Sequence, residues 1–162
     1  MEDILYDKVP SLDLADFYSK DPIKKQKFVA DLGQAYNNIG FVAIRNHFLS
    51  ADVQEKLYHA IKKFFALPDD IKKKYERADL AGQRGYIGKG KEHAKGRNTG
   101  DLKEFYHVGQ ELPISELKKE GYPANIWPVE VPEFENIAVE VYRALEKTGR
   151  FYVRLVPRTG VP

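Results

Sequence analysis

The chain has 162 residues, of which 43% are hydrophobic and 31% are charged, and its formal net charge is +2. These values exclude a wholly disordered or collagen-like chain, no apolar run is long enough to span a membrane, and the charge predicts no nucleic-acid partner. The chain has no cysteine, which excludes disulfides and thiolate metal sites, and its first residues do not resemble a secretory signal. We therefore expect a cytoplasmic protein.

The N-terminal part of the chain predicts two short strands with a helix between them. Residues 9–14 alternate apolar and polar side chains, which is typical of a short strand. A helix is expected to begin at Asp21-Pro22, because aspartate caps free amides and proline suits the first helical position, and to end at Gly40. Residues 41–45 predict a buried strand. The expected core stripe of the helix consists of Phe28, Leu32, Ala35, Tyr36 and Ile39.

Two further helices are expected before residue 80. Ser50 caps the first of them, and its core face is formed by Val53, Leu57, Ile61, Phe64 and Phe65. Pro68 starts a shorter helix that ends near Tyr75 or Arg77. Short runs of lysine are interpreted as solvated helix faces, with a polyanion-binding surface as the alternative. These runs are Lys24-Lys25-Lys27, Lys62-Lys63, Lys72-Lys73-Lys74 and Lys118-Lys119.

The rest of the chain predicts loops, short strands and one helix. Residues 80–100 contain six glycines and indicate a loop that a short strand interrupts at residues 84–87. Residues 101–108 alternate and predict another strand, and the four prolines that follow indicate an extended segment. A last helix is expected from Glu133. Residues 150–162 form an atypical tail, which a truncation, a frameshift or a cloning remnant would each explain.

No complete set of catalytic residues is visible in the sequence. None of the four histidines is followed two residues later by Asp or Glu, so the His-x-Asp start of a facial iron triad is missing. Glu104-x-x-His107 is half of a di-iron motif, but it occurs once and in a predicted strand, which favours strand pairing or a surface role. Residues 85–91 nearly match a phosphate-binding loop, but Glu92 stands where Ser or Thr should contact magnesium. The residues alone indicate an α+β domain.

Six short segments of the chain, in a fixed order, carry a family resemblance. They are VPSLDL (9–14), IGFVAIRNH (39–47), FFALP with KKKY (64–75), QRGY (83–86), DLKEFY (101–106) and NIWP (125–128). Together they resemble the N-terminal region of the isopenicillin N synthase-like family of non-haem Fe(II), 2-oxoglutarate-dependent oxygenases. The bacterial branch of that family is the most similar.

The resemblance implies a fold, and it implies different roles for the N-terminal and C-terminal halves of a family member. It implies N-terminal helices plus a few strands of an incomplete double-stranded β-helix, or jelly roll, with residues 1–149 as the N-terminal domain. In the family, Fe(II) and 2-oxoglutarate are held by residues of the C-terminal half, so neither is expected to bind this chain, which alone should be inactive. The full-length enzyme would oxidise an unidentified small molecule. A non-catalytic binding or scaffold protein derived from the family is the alternative.

The same resemblance places two strands near the substrate mouth of the family's barrel. The substrate-side candidates on these strands are Arg84, Tyr86, Lys103, Tyr106 and His107. The alternative role for each is strand pairing or a salt bridge, with Asp101 or Glu104 as the expected partner of Lys103. No catalytic or metal-binding residue is expected in this chain, and His47 is interpreted as a residue that fixes the turn after the strand at 41–45.

Overall fold

The computed structural model describes residues 9–91 and 102–155. The chain divides into two compact units, Met1–Phe48 with Lys147–Pro162, and Leu49–Glu146. Residues 92–100 of the predicted glycine-rich loop, the first residue of the strand expected at 101–108 and residues 156–162 of the predicted tail lie outside the described residues. Within the described ranges, no helix combines the length and the apolar character that crossing a membrane requires.

The first unit contains a parallel pair of strands and the helices between them. Its elements are β1 (Ser11–Asp13), α1 (Leu14–Tyr18), α2 (Pro22–Asn38) and β2 (Ala43–Arg45). Parallel pairing of β1 with β2 requires a long crossover, which α1 and α2 provide. The Asp21 side chain accepts a hydrogen bond from the Ile23 amide at 2.9 Å, and Gly40 follows α2 with φ of +79°. The predicted strand, helix start and terminal glycine are therefore confirmed.

The second strand of this pair is less buried than its sequence predicts. Ala43 and Arg45 are exposed and Ile44 is half-buried, while Phe41 lies outside the strand with 69% of its surface exposed. The prediction of a buried strand was therefore wrong. The physical reason is that, among the described residues, β2 pairs with β1 alone, and Ile44 is the one residue of β2 that packs against the small cluster of Leu14, Phe28 and Leu32.

The turn after β2 is fixed by Asn46. This residue has φ of +52°, a left-handed conformation that asparagine tolerates better than most residues. Its Nδ2 donates to both carboxylate oxygens of Asp13, at 2.9 and 2.8 Å. The same Asp13 carboxylate accepts from the Ala15 amide and caps α1. One short polar contact therefore ties the ends of both strands together.

The second unit contains most of the helices and an antiparallel pair of strands. Its elements are α3 (Ala51–Phe65), α4 (Asp69–Lys72), 3₁₀ turns at Lys73–Tyr75 and Ala78–Leu80, β3 (Gly85–Ile87), β4 (Phe105–His107), α5 (Ile114–Glu120) and the start of α6 (Glu133–Leu155). Ser50 caps α3 by accepting from the Val53 amide, as predicted. In the strand pair, Tyr86 lies opposite Tyr106 and Gly85 opposite His107.

The core of the second unit is built around Phe64. This ring is fully buried, and the rings of four neighbours meet it edge-on with centroids 4.8–5.9 Å away. The four neighbours are Phe65, Tyr75, Tyr86 and Tyr106. Edge-to-face geometry places the positive edge of one ring against the negative face of another, so these contacts stabilise the core beyond simple burial. The cluster joins α3 to both strands of the hairpin.

Two predictions for the second half of the chain need correction. The strand expected at 101–108 is confined to Phe105–His107 among the described residues. The segment expected to be extended contains helix α5, which begins after Pro113 and ends at Gly121 with φ of +67°. Pro113 occupies the N-cap position, where its missing amide hydrogen costs nothing, so the proline starts a helix instead of preventing one. Helix α6 begins at Glu133 as predicted and continues to Leu155.

Candidate functional site

The β3–β4 hairpin brings the five predicted substrate-side residues to one region, but it turns them in different directions. Arg84, Tyr86 and Tyr106 are directed inward: the first two are buried and the third is half-buried. Lys103 and His107 are exposed. The inward-facing residues and the exposed residues therefore differ in what they can bind, and their hydrogen bonds show how.

A buried ionic cluster lies beneath the hairpin. The Oε2 atom of Glu104 accepts a hydrogen bond from the Tyr86 hydroxyl at 2.5 Å and lies 2.9 Å from Nζ of Lys72. Nζ of Lys72 also lies 3.0 Å from Asp69, whose side chain is largely exposed, and 5.7 Å from the centre of the Tyr86 ring. We call Lys72, Glu104 and Tyr86 the hairpin cluster. It links helix α4 to β3 and to the residue that precedes β4.

The prediction that Lys72 belongs to a solvated helix face was wrong. The residue exposes only 4% of its surface, whereas its neighbours Lys73 and Lys74 are exposed. The helical spacing explains the difference, because Lys72 lies three residues before the buried Tyr75 and therefore shares its face. A buried ammonium needs a counter-charge, and Glu104 supplies it from 32 residues away.

The contacts within the hairpin cluster shift the pKa values of all three of its residues. Burial alone raises the pKa of Glu104, but the hydrogen bonds from Tyr86 and Lys72 outweigh it and the pKa is lowered. Burial, together with the bond to Glu104, raises the pKa of Tyr86 to about 12. The bond to Glu104 raises the pKa of Lys72 despite the opposing effect of burial. At neutral pH the cluster is therefore an ammonium–carboxylate pair with a neutral phenol.

The remaining predicted residues make contacts within the hairpin and its surroundings. The Tyr106 hydroxyl donates to the Ile126 carbonyl at 2.6 Å, and burial raises its pKa. Nδ1 of His107 lies 2.6 Å from the Gly82 carbonyl oxygen. Nζ of Lys103 lies 5.6 Å from the centre of the Phe105 ring. Of the two salt-bridge partners expected for Lys103, Glu104 directs one oxygen to the hairpin cluster and Asp101 lies outside the described residues.

Arg84 is held in an unusual position at the start of β3. Its Nη1 donates to the Gln83 carbonyl at 2.7 Å, and its guanidinium lies against Gly109. Gly109 is clamped from the other direction by Asn125, whose amide group accepts from its N–H at 2.7 Å and donates to its carbonyl at 2.9 Å. The role of Asn125 was not predicted from the sequence, although an amide side chain can satisfy both backbone groups of one residue.

An apolar groove of about 330 Å³ runs beside the hairpin. It is lined by one face of α3, by β4 and by α6, and Glu104 is the one charged residue among the described residues that line it. Leu145, one of the residues that line the groove, exposes 52% of its surface. An apolar groove of this kind on a protein surface is typical of a site that another segment or partner covers.

The described residues do not fit an iron site. An oxygenase iron requires two histidines and a carboxylate at one point. Among residues 9–91 and 102–155, no three side chains of His, Cys, Asp or Glu converge closely enough to hold a metal ion. His107, the histidine of the hairpin, is bonded to a backbone carbonyl.

Comparison with known proteins gives a consistent set of relatives. Residues 9–130 match the family model described as non-haem dioxygenase in morphine synthesis, N-terminal. The chain is 33% identical over 145 residues to the 2-oxoglutarate-dependent dioxygenase caaD of Aspergillus niger, covering 88% of this chain and 45% of that protein. It is 31% identical over 157 residues to a 2-oxoglutarate-Fe(II) type oxidoreductase of Aspergillus fumigatus, covering 93% and 47%.

Solved structures agree with these relatives. A putative 2OG-Fe(II) oxygenase family protein from Caulobacter crescentus is 33% identical with a TM-score of 0.73, covering 87% of this chain and 45% of that one. A full-length Neurospora crassa protein, solved in complex with alpha-KG, shares the fold at 21% identity, with a TM-score of 0.71 and coverage of 87% and 43%. Fungal and bacterial relatives match alike, so the bacterial branch stays a prediction.

The chain spans somewhat less than half the length of the curated relatives described above. The mixed helix and strand architecture of the prediction is confirmed by the structure and by these neighbours. The six short segments, in the order in which they occur in the sequence, are the signal that predicted this family. The chain belongs to the N-terminal family of the non-haem, 2-oxoglutarate-dependent Fe(II) dioxygenases.

Proposed function

We propose that this chain forms the N-terminal part of an Fe(II)- and 2-oxoglutarate-dependent oxygenase that oxidises a small molecule. In this proposal the jelly roll, the iron ligands and the 2-oxoglutarate site belong to a C-terminal part that residues 1–149 support. The match over residues 9–130 and the coverage of 45% of the relative from Aspergillus niger support the assignment. The bound cofactors would supply the oxidising chemistry, and the chain described here would supply structure beside the substrate.

The apolar groove is the observation that carries this proposal. Apart from Glu104, its walls are mainly apolar side chains of α3, β4 and α6, and Leu145 among them is exposed. Burying apolar surface is the main driving force of folding, so a groove of this composition favours a covering partner. The C-terminal part that the relatives have in addition is the occupant that we propose.

The substrate-side residues are assigned within the same proposal. His107 lies on β4 and Lys103 lies just before it, and both are exposed. Their side chains are therefore the ones that a substrate could reach. Tyr86 and Tyr106 direct their hydroxyl groups into the protein, which favours a supporting role for both. Arg84 differs from the other four, because its guanidinium donates to the Gln83 carbonyl and lies against Gly109.

A non-catalytic binding or scaffold protein is the second candidate. The second unit contains a complete aromatic core around Phe64, which favours a chain able to fold without a further domain. This candidate predicts a cooperative thermal transition and a monodisperse species for the 162-residue chain. The oxygenase proposal predicts exposure of the groove, and hence association or aggregation of the isolated chain.

The test is anaerobic addition of Fe(II) and 2-oxoglutarate, with the weak visible charge-transfer band as the readout. We expect no band from the 162-residue chain. We expect the band from the gene product extended beyond codon 149 in whichever frame encodes a His-x-Asp, a distant His and an Arg-x-Ser. A band from the short chain, or no such motifs in any downstream frame, would overturn the proposal.

A matched pair of variants tests the groove in that extended product. Leu145→Lys places a charge in the groove and should weaken or abolish the band, because the C-terminal part can no longer cover it. Leu102→Lys is the control, since Leu102 lies outside the groove and exposes 84% of its surface. Equal bands from the two variants would contradict the role of the groove.

A further inference from the structure

The apolar groove has one charged acceptor that is open to an incoming group. Glu104 is the charged residue among the described residues that line the groove, and 18% of its side chain is exposed. Its Oε2 atom accepts from Lys72 and from Tyr86, whereas Oε1 accepts no hydrogen bond from any described residue. Within the described ranges, Nε of Arg84 is the one buried side-chain donor or acceptor without a partner. Oε1 of Glu104 also lacks a partner, so it must be accessible instead of buried.

The two partners of Oε2 have no proton left for Oε1. The Tyr86 hydroxyl has one proton, which it donates to Oε2. The ammonium of Lys72 has three protons. Its three acceptors are Oε2 of Glu104 at 2.9 Å, Asp69 at 3.0 Å and the Phe65 carbonyl at 3.5 Å. Oε1 therefore needs a donor from solvent or from a group outside the described residues.

Glu104 shares its face of the hairpin with apolar residues of the groove. Glu104, Tyr106 and Val108 occupy alternate positions on and beside β4, which places them on one face, and all three line the groove. Other walls are formed by Ile61 of α3 and Val141 of α6. A group that enters the groove therefore meets apolar surface over most of its length and a carboxylate at Glu104.

Covering the groove with purely apolar surface would be unfavourable at Glu104. Burial alone would raise its pKa, but hydrogen bonds from Tyr86 and Lys72 lower it, so the carboxylate is ionised at neutral pH. Removing water from Oε1 without supplying a donor leaves a charged acceptor unsatisfied, which is costly. A charged donor compensates best, since charge-assisted hydrogen bonds are about twice as strong as neutral ones. Glu104 and Asp69 already share the ammonium of Lys72, and Lys89 acts on both carboxylates without an ion pair in the described part of the chain.

We propose that the segment that covers the apolar groove presents a basic side chain, lysine or arginine, to Oε1 of Glu104. The neighbouring side chains of that segment are apolar and fill the groove. This inference rests on the proposed function for the origin of the segment, which is the C-terminal part. The preference of the groove for an apolar group that carries a cation belongs to the described residues, so it can be measured without that part.

The experiment is a titration of the 162-residue chain at neutral pH with n-hexylammonium, hexan-1-ol and hexanoate. Sodium chloride keeps the ionic strength constant, and light scattering confirms a protein concentration at which the chain is monomeric. The readouts are the carboxyl ¹³C resonance of Glu104 and the methyl resonances of Leu57, which lines the groove. We expect n-hexylammonium to shift both saturably and to bind at least about fivefold more tightly than hexan-1-ol. Equal affinities of these two probes, or tightest binding of hexanoate, would overturn the proposal.

Two variants assign the preference to Glu104. Glu104→Gln keeps the shape of the side chain and removes its charge, so the advantage of n-hexylammonium should disappear while hexan-1-ol still shifts Leu57. Glu116→Gln removes an equal charge from α5, outside the groove, and should leave the advantage unchanged. An advantage that survives Glu104→Gln would also overturn the proposal. If Glu104→Gln fails to fold, the three probes on the unmodified chain still decide the matter.

The extended product tests the origin of the covering segment. There the groove is expected to be covered, so n-hexylammonium should no longer shift Leu57. An unchanged affinity would show that the C-terminal part does not occupy the groove and would overturn this inference. The iron titration reports on the proposed function separately. A charge-transfer band without the ammonium preference would reject this inference alone, whereas the preference without a band would reject the proposed function alone.

Discussion

Replacing Lys72 by methionine tests the hairpin cluster directly. Methionine keeps the length of the side chain but removes the ammonium, so the Glu104 carboxylate keeps only the Tyr86 hydroxyl as a partner. The side chains of Lys72 and Glu104 are 5% and 18% exposed, which makes this a buried pair. Breaking a buried pair by removing one partner costs about 3–5 kcal/mol, because an uncompensated charge is left inside.

The free energy of unfolding is measured by urea denaturation and Tm by heating, both followed by circular dichroism at a protein concentration low enough to keep the chain monomeric. In a domain of this size each kcal/mol corresponds to about 2–4 °C in Tm, so we expect a fall of roughly 6–20 °C. The double variant Lys72→Met/Glu104→Leu should recover much of the loss, since no charge is then left unpaired. The third partner, Asp69, contributes little because its side chain is 80% exposed.

The matched control is Lys56→Met. Lys56 forms a pair with Asp52 at 2.6 Å, but these side chains are 59% and 70% exposed. Surface pairs of this kind contribute about 0–1 kcal/mol. If Lys72→Met and Lys56→Met reduce the free energy of unfolding equally, the reasoning about the hairpin cluster is refuted.

Two further predictions concern the same hairpin. Gly109→Ala should lower the free energy of unfolding by about 1–3 kcal/mol, because its Cβ would occupy the place of the Arg84 guanidinium; urea denaturation equal to that of the unmodified chain would contradict this. The second prediction concerns pH. Since the pKa of Tyr86 is raised to about 12, from about 10 in the unfolded chain, the stability due to its protonated phenol is present below pH 10 and is lost as the pH rises towards 12. Tyr86→Phe should flatten the fall in stability across that range, and curves of equal slope for the two proteins would show that Tyr86 is not the group responsible.

Sequence patterns predicted best those elements whose signals are local. Asp21, Ser50 and Gly40 define helix ends by contacts within a few residues, and all three are found where they were expected. Helix α5 was missed because the prolines around it were read as extended chain, although Pro113 can begin a helix. Local sequence signals therefore fail for a residue such as proline, which can either begin a helix or prevent one.

The hairpin cluster could not be predicted from local patterns. Three adjacent lysines have the same side chain, and only their helical phase relative to Tyr75 separates the buried Lys72 from the other two. Its partner Glu104 lies 32 residues away, beside a strand, and that pairing depends on the register of β3 with β4. The sequence predicted two short strands near the five substrate-side candidates but not the pairing of these strands, and Tyr86 and Tyr106 are turned inward by contacts with Phe64.

The position of Trp127 gives the protein a built-in optical reporter. It is the one tryptophan of the chain, and its ring centre lies 6.5 Å from that of Phe134, against the aromatic core. Intrinsic emission therefore follows the Leu49–Glu146 unit, while the unit that contains Met1–Phe48 has no indole of its own. Comparing emission with circular dichroism during denaturation would separate the melting of the two units without any added label.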